Sequence, residues 1–218
     1  MINKIKVNIP SLSLMLIIPV INIFYAFLNN SSRGVYDISI GLDNLIPFSK
    51  IFIIPYIIWY PFMISTLVYF CFRDKEIYHK MIISLILGLL LSYAIFFLFQ
   101  TGIERPVIEQ NDILSKLVKF IYKTDNPYNC FPSIHVFTSY LMIKGIVNCK
   151  AKNTKSILIV SFTATIIILS TLFVKQHLVW DVIGGIILAE IVFKISKIYK
   201  MLFNMVSKKI ALGKTQNM

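Results

Sequence analysis

The sequence predicts an all-α fold: a polytopic membrane bundle of six transmembrane helices with both termini cytoplasmic. Three observations predict it. The chain is 57% hydrophobic and only 15% charged, with a mean hydropathy of +0.75, whereas soluble domains are roughly 45–50% apolar and about 25% charged. Its apolar residues gather into runs of near membrane-crossing length, about Pro10–Leu28, Ile51–Phe72, Met81–Phe99, Pro132–Val147, Ser156–Val174 and Leu178–Tyr199. Lysine and arginine are divided unevenly between alternate connections, as the positive-inside rule requires.

Only helices and closed barrels satisfy their backbone hydrogen bonds within lipid. The runs lack the alternation of barrel strands, so helices are expected. With spans of about 20 residues each, the chain of 218 residues makes one membrane domain, 1–218, with a core of about 10–200 and short basic tails.

The first run follows Lys4 and Lys6, as a secretory leader would, but continues through Phe24, Tyr25 and Phe27 without a small-residue cleavage pattern, so it reads as a retained span. Pro55 and Pro61 in the second are tolerated because neighbouring helices rescue freed carbonyls. Between the third and fourth runs, Ile113, Leu114, Leu117, Val118, Phe120 and Ile121 recur at helical spacing with Lys116, Lys119 and Lys123 between them. That pattern fits a helix on the membrane surface guiding an anionic head group, or an amphipathic cover on the bundle. Asp125-Asn126-Pro127 marks a turn after it. The fourth run carries Ser133, His135, Thr138, Ser139 and Lys144, a face expected to turn inward. Gly184-Gly185 in the last permits close helix approach.

With the amino terminus inside, Arg33, Lys50, Arg105, Lys116, Lys119, Lys123 and Lys175 are external, and the other fifteen of the twenty-two basic residues are internal. The net charge of +12 is therefore assigned to topology and anionic lipid head groups, with no nucleic-acid partner. Cys71, Cys130 and Cys149 show no CxxC spacing, so neither a zinc site nor a disulfide framework is indicated, and no metal or cofactor is expected.

Ionisable groups within a bilayer are costly and mark function. His135, His177 and Arg105 come from separate segments, and all three fall on the predicted external face. His177 and Asp181 are four apart at the start of a helix and share its face. The carboxylate can orient the imidazole and stabilise charge on it, leaving the other ring nitrogen to attack an electrophile. His135 lies in the first turn of the fourth span, with Pro132 suited to the first helical position. Free amides and the helix dipole there suit phosphate oxygens, and a histidine beside them can protonate a leaving oxygen. Arg105 and Lys175 supply the positive charge that phosphoryl transfer requires.

In order and spacing these residues resemble the type 2 phosphatidic acid phosphatases, in the superfamily that includes vanadium haloperoxidases. The resemblance rests on Arg105-Pro106, Pro132-Ser133-Ile134-His135 and Ser170-Thr171-x5-His177-x3-Asp181. It implies His177 as nucleophile, Asp181 as its orienting carboxylate, His135 as acid and base, and Arg105 and Ser133 as phosphate ligands, with no cofactor. The family's motif lysine falls at Leu98, its motif glycine at Ile134 and its third-motif arginine at Thr171; Lys175 is the candidate substitute. Leu45-Ile46-Pro47-Phe48, Phe131-Pro132-Ser133-Ile134-His135 and Lys175-Gln176-His177 look closest to the inositol phosphorylceramide synthase-like branch. The implied function is a lipid-phosphate phosphatase or head-group phosphotransferase with a membrane lipid phosphate as substrate and water or a lipid alcohol as acceptor. It would act at the outer face of a cell membrane, in composition a bacterial inner membrane. The alternative is a non-catalytic lipid-binding or transport protein that keeps the fold.

Overall fold

In the computed structural model the described residues are 2–196, with side chains described from Asn8 onward. Among them there is no strand, only isolated bridges between Tyr36 and Thr101 and between Gly102 and Tyr128. Helix α1 (Ile2–Ser13) runs through the 3-10 turn Leu14–Leu16 into α2 (Ile17–Leu28). A short α3 (Gly41–Leu45) and the 3-10 turn Lys50–Phe52 lead to α4 (Ile53–Arg73) and α5 (Lys75–Leu98). Then follow α6 (Ile113–Thr124), α7 (Ile134–Asn148), α8 (Thr154–Phe173) and α9, described over 179–196.

Among the described residues, four stretches are long and apolar enough to cross a membrane: Asn8–Leu28, Lys50–Arg73, Lys75–Leu98 and Thr154–Phe173. Helix α7 has 15 residues, about 22 Å at 1.5 Å per residue, and falls short of a hydrocarbon core of about 30 Å. It packs on α4, α5 and α8, and Lys150, two residues past its end, bonds Asp74 at the end of the bundle away from His135. The end of the last expected run, at Tyr199, and the basic tail with Lys197, Lys200, Lys208, Lys209 and Lys214 lie outside the described residues.

Polar side chains start the helices by taking up first-turn N–H groups. Asp74 accepts from Ile77, Asp112 from Leu114 and Ser115, Ser133 from Val136, and Asn153 from Ser156. Asp112 also meets the Lys50 ammonium at 2.6 Å; that hydrogen bond and the one from the Ser115 hydroxyl hold its carboxyl well below the usual carboxylate range. Pro132 is not the first helical residue. It precedes the Ser133 cap, after a cis peptide bond, because the Ser133 hydroxyl takes the capping position.

The core is built on Leu67, Phe70, Leu85, Phe137, Leu141, Met142 and Ile167, all fully buried. Phe137 packs directly against Gly88 of α5, and the carbonyl of Ser133 lies 2.8 Å from where a side chain on Gly185 would begin. The second contact brings the starts of α7 and α9 together, the use expected of the glycine pair. Outward faces remain apolar, with Phe24, Phe27, Ile58, Leu91, Phe162 and Ile191 exposed.

Helix α6 is the amphipathic cover, laid on the bundle. Val118 is buried, and Leu114, Leu117, Ile121 and Tyr122 pack with it against Ile53, Tyr56 and Val174. One end of the bundle collects the connections 29–52, 99–133 and 174–178. They are tied by hydrogen bonds from Tyr36 N–H to the Gln100 carbonyl, Ser49 N–H to that of Phe173, and Ile103 N–H to that of Pro127. At the opposite end, Asp74 accepts from the backbone N–H of Lys150. Arg105, His135 and His177 therefore share one end.

Candidate active site

His177 lies in the connection between α8 and α9, and Asp181 in the first turn of α9. The His177 Nδ1 faces Asp181 Oδ2 at 3.3 Å, and that oxygen also accepts the Leu178 N–H at 2.8 Å. The carboxylate thus orients the ring and caps the helix at once. Asp181 is fully buried and His177 is 8% exposed. The carbonyl of Asp181 accepts the Ser133 N–H at 3.1 Å, locking the start of α7 to that of α9.

This lock places His135 opposite His177, with ring centroids 5.7 Å apart and planes at 57°. Two aromatic rings hold His135: Tyr56 stacks on it at 4.6 Å and Trp59 lies against it at 4.0 Å. Trp59 is itself fixed by a hydrogen bond from Nε1 to the Thr138 hydroxyl at 2.7 Å. The aromatic clamp holds the imidazole at the wall of a space it shares with His177.

That space is a cavity of about 440 Å³ lined by both histidines, by Tyr25, Tyr56, Trp59, Tyr60 and Tyr93, and by Asp125 and Asn129. Among the described residues its wall carries no lysine or arginine. Arg105 stands behind that wall, its guanidinium 4.6 Å from the centre of the Tyr122 ring. It donates to the carbonyls of Asp125 at 2.7 Å and Tyr122 at 3.3 Å, and to Gln176 Oε1. Two donors in this pair, Arg105 Nε and Gln176 Nε2, are buried without a partner among the described residues. Buried donors are seldom left unpaired, and two adjacent ones beside His177 form an electropositive point suited to an anion.

The remaining expected residues are placed differently. The Ser133 hydroxyl accepts the Val136 N–H as helix cap, within one residue of the cavity wall at Ile134. Lys175 adopts a left-handed backbone with φ of 52°, which turns its ammonium away from the histidines to donate to the Asp43 carbonyl at 2.8 Å. With Arg105, Asp43 and Glu104 it lines a second cavity.

Cys130, given no role by its spacing, has its sulfur within 4.8 Å of ligand atoms of His177 and Asp181. Together they are a group with metal-ligand chemistry, although Nδ1 of His177 already faces the carboxylate. Burial pushes the Cys130 thiol up, and the Asp181 carboxylate raises it further.

Gln176, Tyr56 and Trp59 carried no signal in the sequence beyond the position of Gln176 beside His177. Of the three departures from the expected motifs, Leu98 is 78% exposed at the end of α5. The carbonyl of Thr171 accepts the N–H groups of both Gln176 and His177, at 3.0 and 3.1 Å, so this position shapes the connection through its backbone.

The sequence profile of the PAP2 superfamily matches residues 46–195. This chain belongs to the PAP2 superfamily. Its members are phosphatases and phosphotransferases, which fits a pair of imidazoles facing one another across a cavity. The matched region of this PAP2 protein contains every expected site residue from Arg105 to Asp181, and leaves out α1, α2 and α3. Comparison with curated proteins and with solved structures gave no match.

Proposed function

We propose that this protein is an integral membrane lipid-phosphate phosphatase or head-group phosphotransferase that works through a phosphohistidine at His177. The observation that carries the reading is the 5.7 Å separation of the His135 and His177 rings across one cavity, with Asp181 behind His177. A tetrahedral phosphorus centre between the two rings can meet a nucleophile on one side and a proton donor on the other.

With the Nδ1 proton directed at Asp181, the free Nε2 of His177 attacks phosphorus. The P–N bond forms as the P–O bond to the lipid breaks, and His135 gives its proton to the departing oxygen. His135 then takes a proton from water or a lipid alcohol, whose oxygen attacks phosphorus and releases His177. Asp181 stabilises the positive charge on the phosphorylated ring. Charge on the equatorial oxygens is met at the start of α7 by the N–H groups of Ile134 and His135 and the helix dipole, and from behind the cavity wall by the field of Arg105 with the adjoining Gln176 amide.

The cavity wall supports a lipid substrate. Tyr25 on α2 and Ile57, Trp59 and Tyr60 on α4 give it an apolar side suited to a lipid chain. Under this reading the chain crosses the membrane six times with both termini cytoplasmic, and the histidines serve the outer leaflet. The Lys175 ammonium, engaged by Asp43, is not part of the phosphate site.

A second reading, a lipid-binding or transport protein without catalysis, is favoured by Leu98 and Thr171 in place of two family cations. The experiment that separates them supplies the purified protein with a panel of lipid phosphates, with and without a lipid alcohol, alongside His177→Asn. Release of inorganic phosphate marks a phosphatase, and transfer dependent on the alcohol marks a transferase in keeping with the synthase-like branch. Lipid exchange with neither product in any member of the panel supports the second reading.

A further inference from the structure

A reacting group carried by a short connection is productive only if the connection is held in place, since a displacement of about 1 Å at a reacting atom costs on the order of 10²-fold in rate. The connection bearing His177 is held on its first side by α8, through the Thr171 and Leu172 carbonyls. On its other side the holding residue is remote in sequence. Asp43 Oδ1 accepts the Val179 N–H at 2.8 Å, a first-turn donor of α9 that no residue within its own helix can satisfy. The second carboxylate oxygen, Oδ2, accepts the Ile40 N–H at 2.8 Å, which closes the turn presenting Asp43. Its main-chain carbonyl accepts the Lys175 ammonium at 2.8 Å. One residue, 7% exposed, is thus bonded through its carbonyl to Lys175, two residues before His177, and through its side chain to Val179, two residues after it.

We propose that Asp43 is a positioning residue for His177, the strut that fixes the 175–179 connection so that the imidazole faces the phosphorus atom. Asp43 lines the second cavity and does not reach the histidines, so it acts through the backbone. Both carboxylate oxygens are needed because two N–H groups from separate segments converge on them. Asparagine keeps one acceptor for Val179 and presents an amide N–H₂ to Ile40. It preserves part of the strut, and alanine removes both side-chain bonds. The inference rests on the reading of His177 as nucleophile, and it reaches outside the family match, which begins at residue 46.

The test compares wild type with Asp43→Ala and Asp43→Asn in detergent micelles, measuring amide hydrogen exchange over 175–181 and the kinetics of phosphate release from a lipid phosphate. Exchange over 175–181 is expected to accelerate in Asp43→Ala, with exchange in α5 and α7 unchanged. In the same variant kcat is expected to fall by about 10²-fold with KM nearly constant, and Asp43→Asn is expected to recover at least half of the loss on a logarithmic scale. Unchanged exchange over 175–181 in Asp43→Ala overturns the proposal, even if the wild type releases no phosphate and the reading of the site fails with it. Accelerated exchange with wild-type turnover also overturns it, as does an Asp43→Asn variant no better than alanine.

Discussion

His177 and Asp181 are joined by a single oxygen with two duties: Asp181 Oδ2 faces His177 Nδ1 at 3.3 Å and accepts the Leu178 N–H at 2.8 Å. The direction of the imidazole is therefore coupled to the start of α9. The Asp181 carbonyl extends the coupling to α7 through Ser133, so both histidines are referenced to one residue.

Asp181→Asn is expected to keep the fold and lose the chemistry, because an amide of similar shape cannot stabilise positive charge on His177. Turnover should fall on the order of 10³–10⁴-fold, by analogy with removal of an orienting carboxylate from a catalytic histidine. Asp181→Ala should in addition lose about 1 kcal/mol from the helix cap. Phosphate release and thermal unfolding of the two variants separate these effects.

His135→Ala should slow cleavage of a lipid phosphate by about 10²–10⁴-fold, the usual range for a lost general acid. An aryl phosphate with an acidic phenol as leaving group needs little protonation, so the same variant should be markedly less impaired on it. Equal loss on both substrates would remove His135 as the acid.

Gly185→Ala would put a side-chain carbon 2.8 Å from the Ser133 carbonyl and 3.0 Å from the Val136 Cβ. Neither neighbour can swing aside, so α9 must shift from α7 at a cost of about 1–3 kcal/mol. Gly41→Ala meets nothing within 4 Å and should leave stability unchanged. Thermal unfolding of both variants gives the comparison, and activity should fall only in the first.

Cys130 should resist alkylation at pH 8 in the folded protein, since burial and the neighbouring Asp181 carboxylate raise its pKa and favour the thiol over the reactive thiolate. Mass spectrometry after iodoacetamide treatment should find it unlabelled before unfolding and labelled after. Rapid labelling of the native protein would contradict the buried placement.

What the sequence made legible was local. The spacing of His177 and Asp181 marked them as a pair, although the expected shared helix face is not how they meet: His177 precedes α9, and Asp181 reaches back from the first turn. Ser133 and Asp112 are recognisable caps, so the starts of α6 and α7 could be read directly. The aromatic clamp on His135 could not, because Tyr56 and Trp59 arrive from α4, and their spacing there is that of ordinary lipid-facing residues. The direction of Lys175 depends on a left-handed backbone that lysine seldom adopts, and charge alone pointed it at the phosphate. Helix α7 is the shortest of the expected spans, at 15 residues, because the apolar residues of its run are largely buried in protein and its ends are completed by the Ser133 cap and the turn after Asn148. The two readings of α6 shared one amphipathic pattern, and the packing of Val118 against Ile53 and Tyr56 decided between them.

The central claim is that His177 carries the phosphoryl group. The direct measurement is rapid quenching of the protein with a ³²P-labelled lipid phosphate, followed by tryptic mapping under alkaline conditions. The expected result is an alkali-stable, acid-labile label on the peptide containing His177, absent from His177→Asn. A label on another residue, or wild-type phosphate release by His177→Asn, would contradict the account.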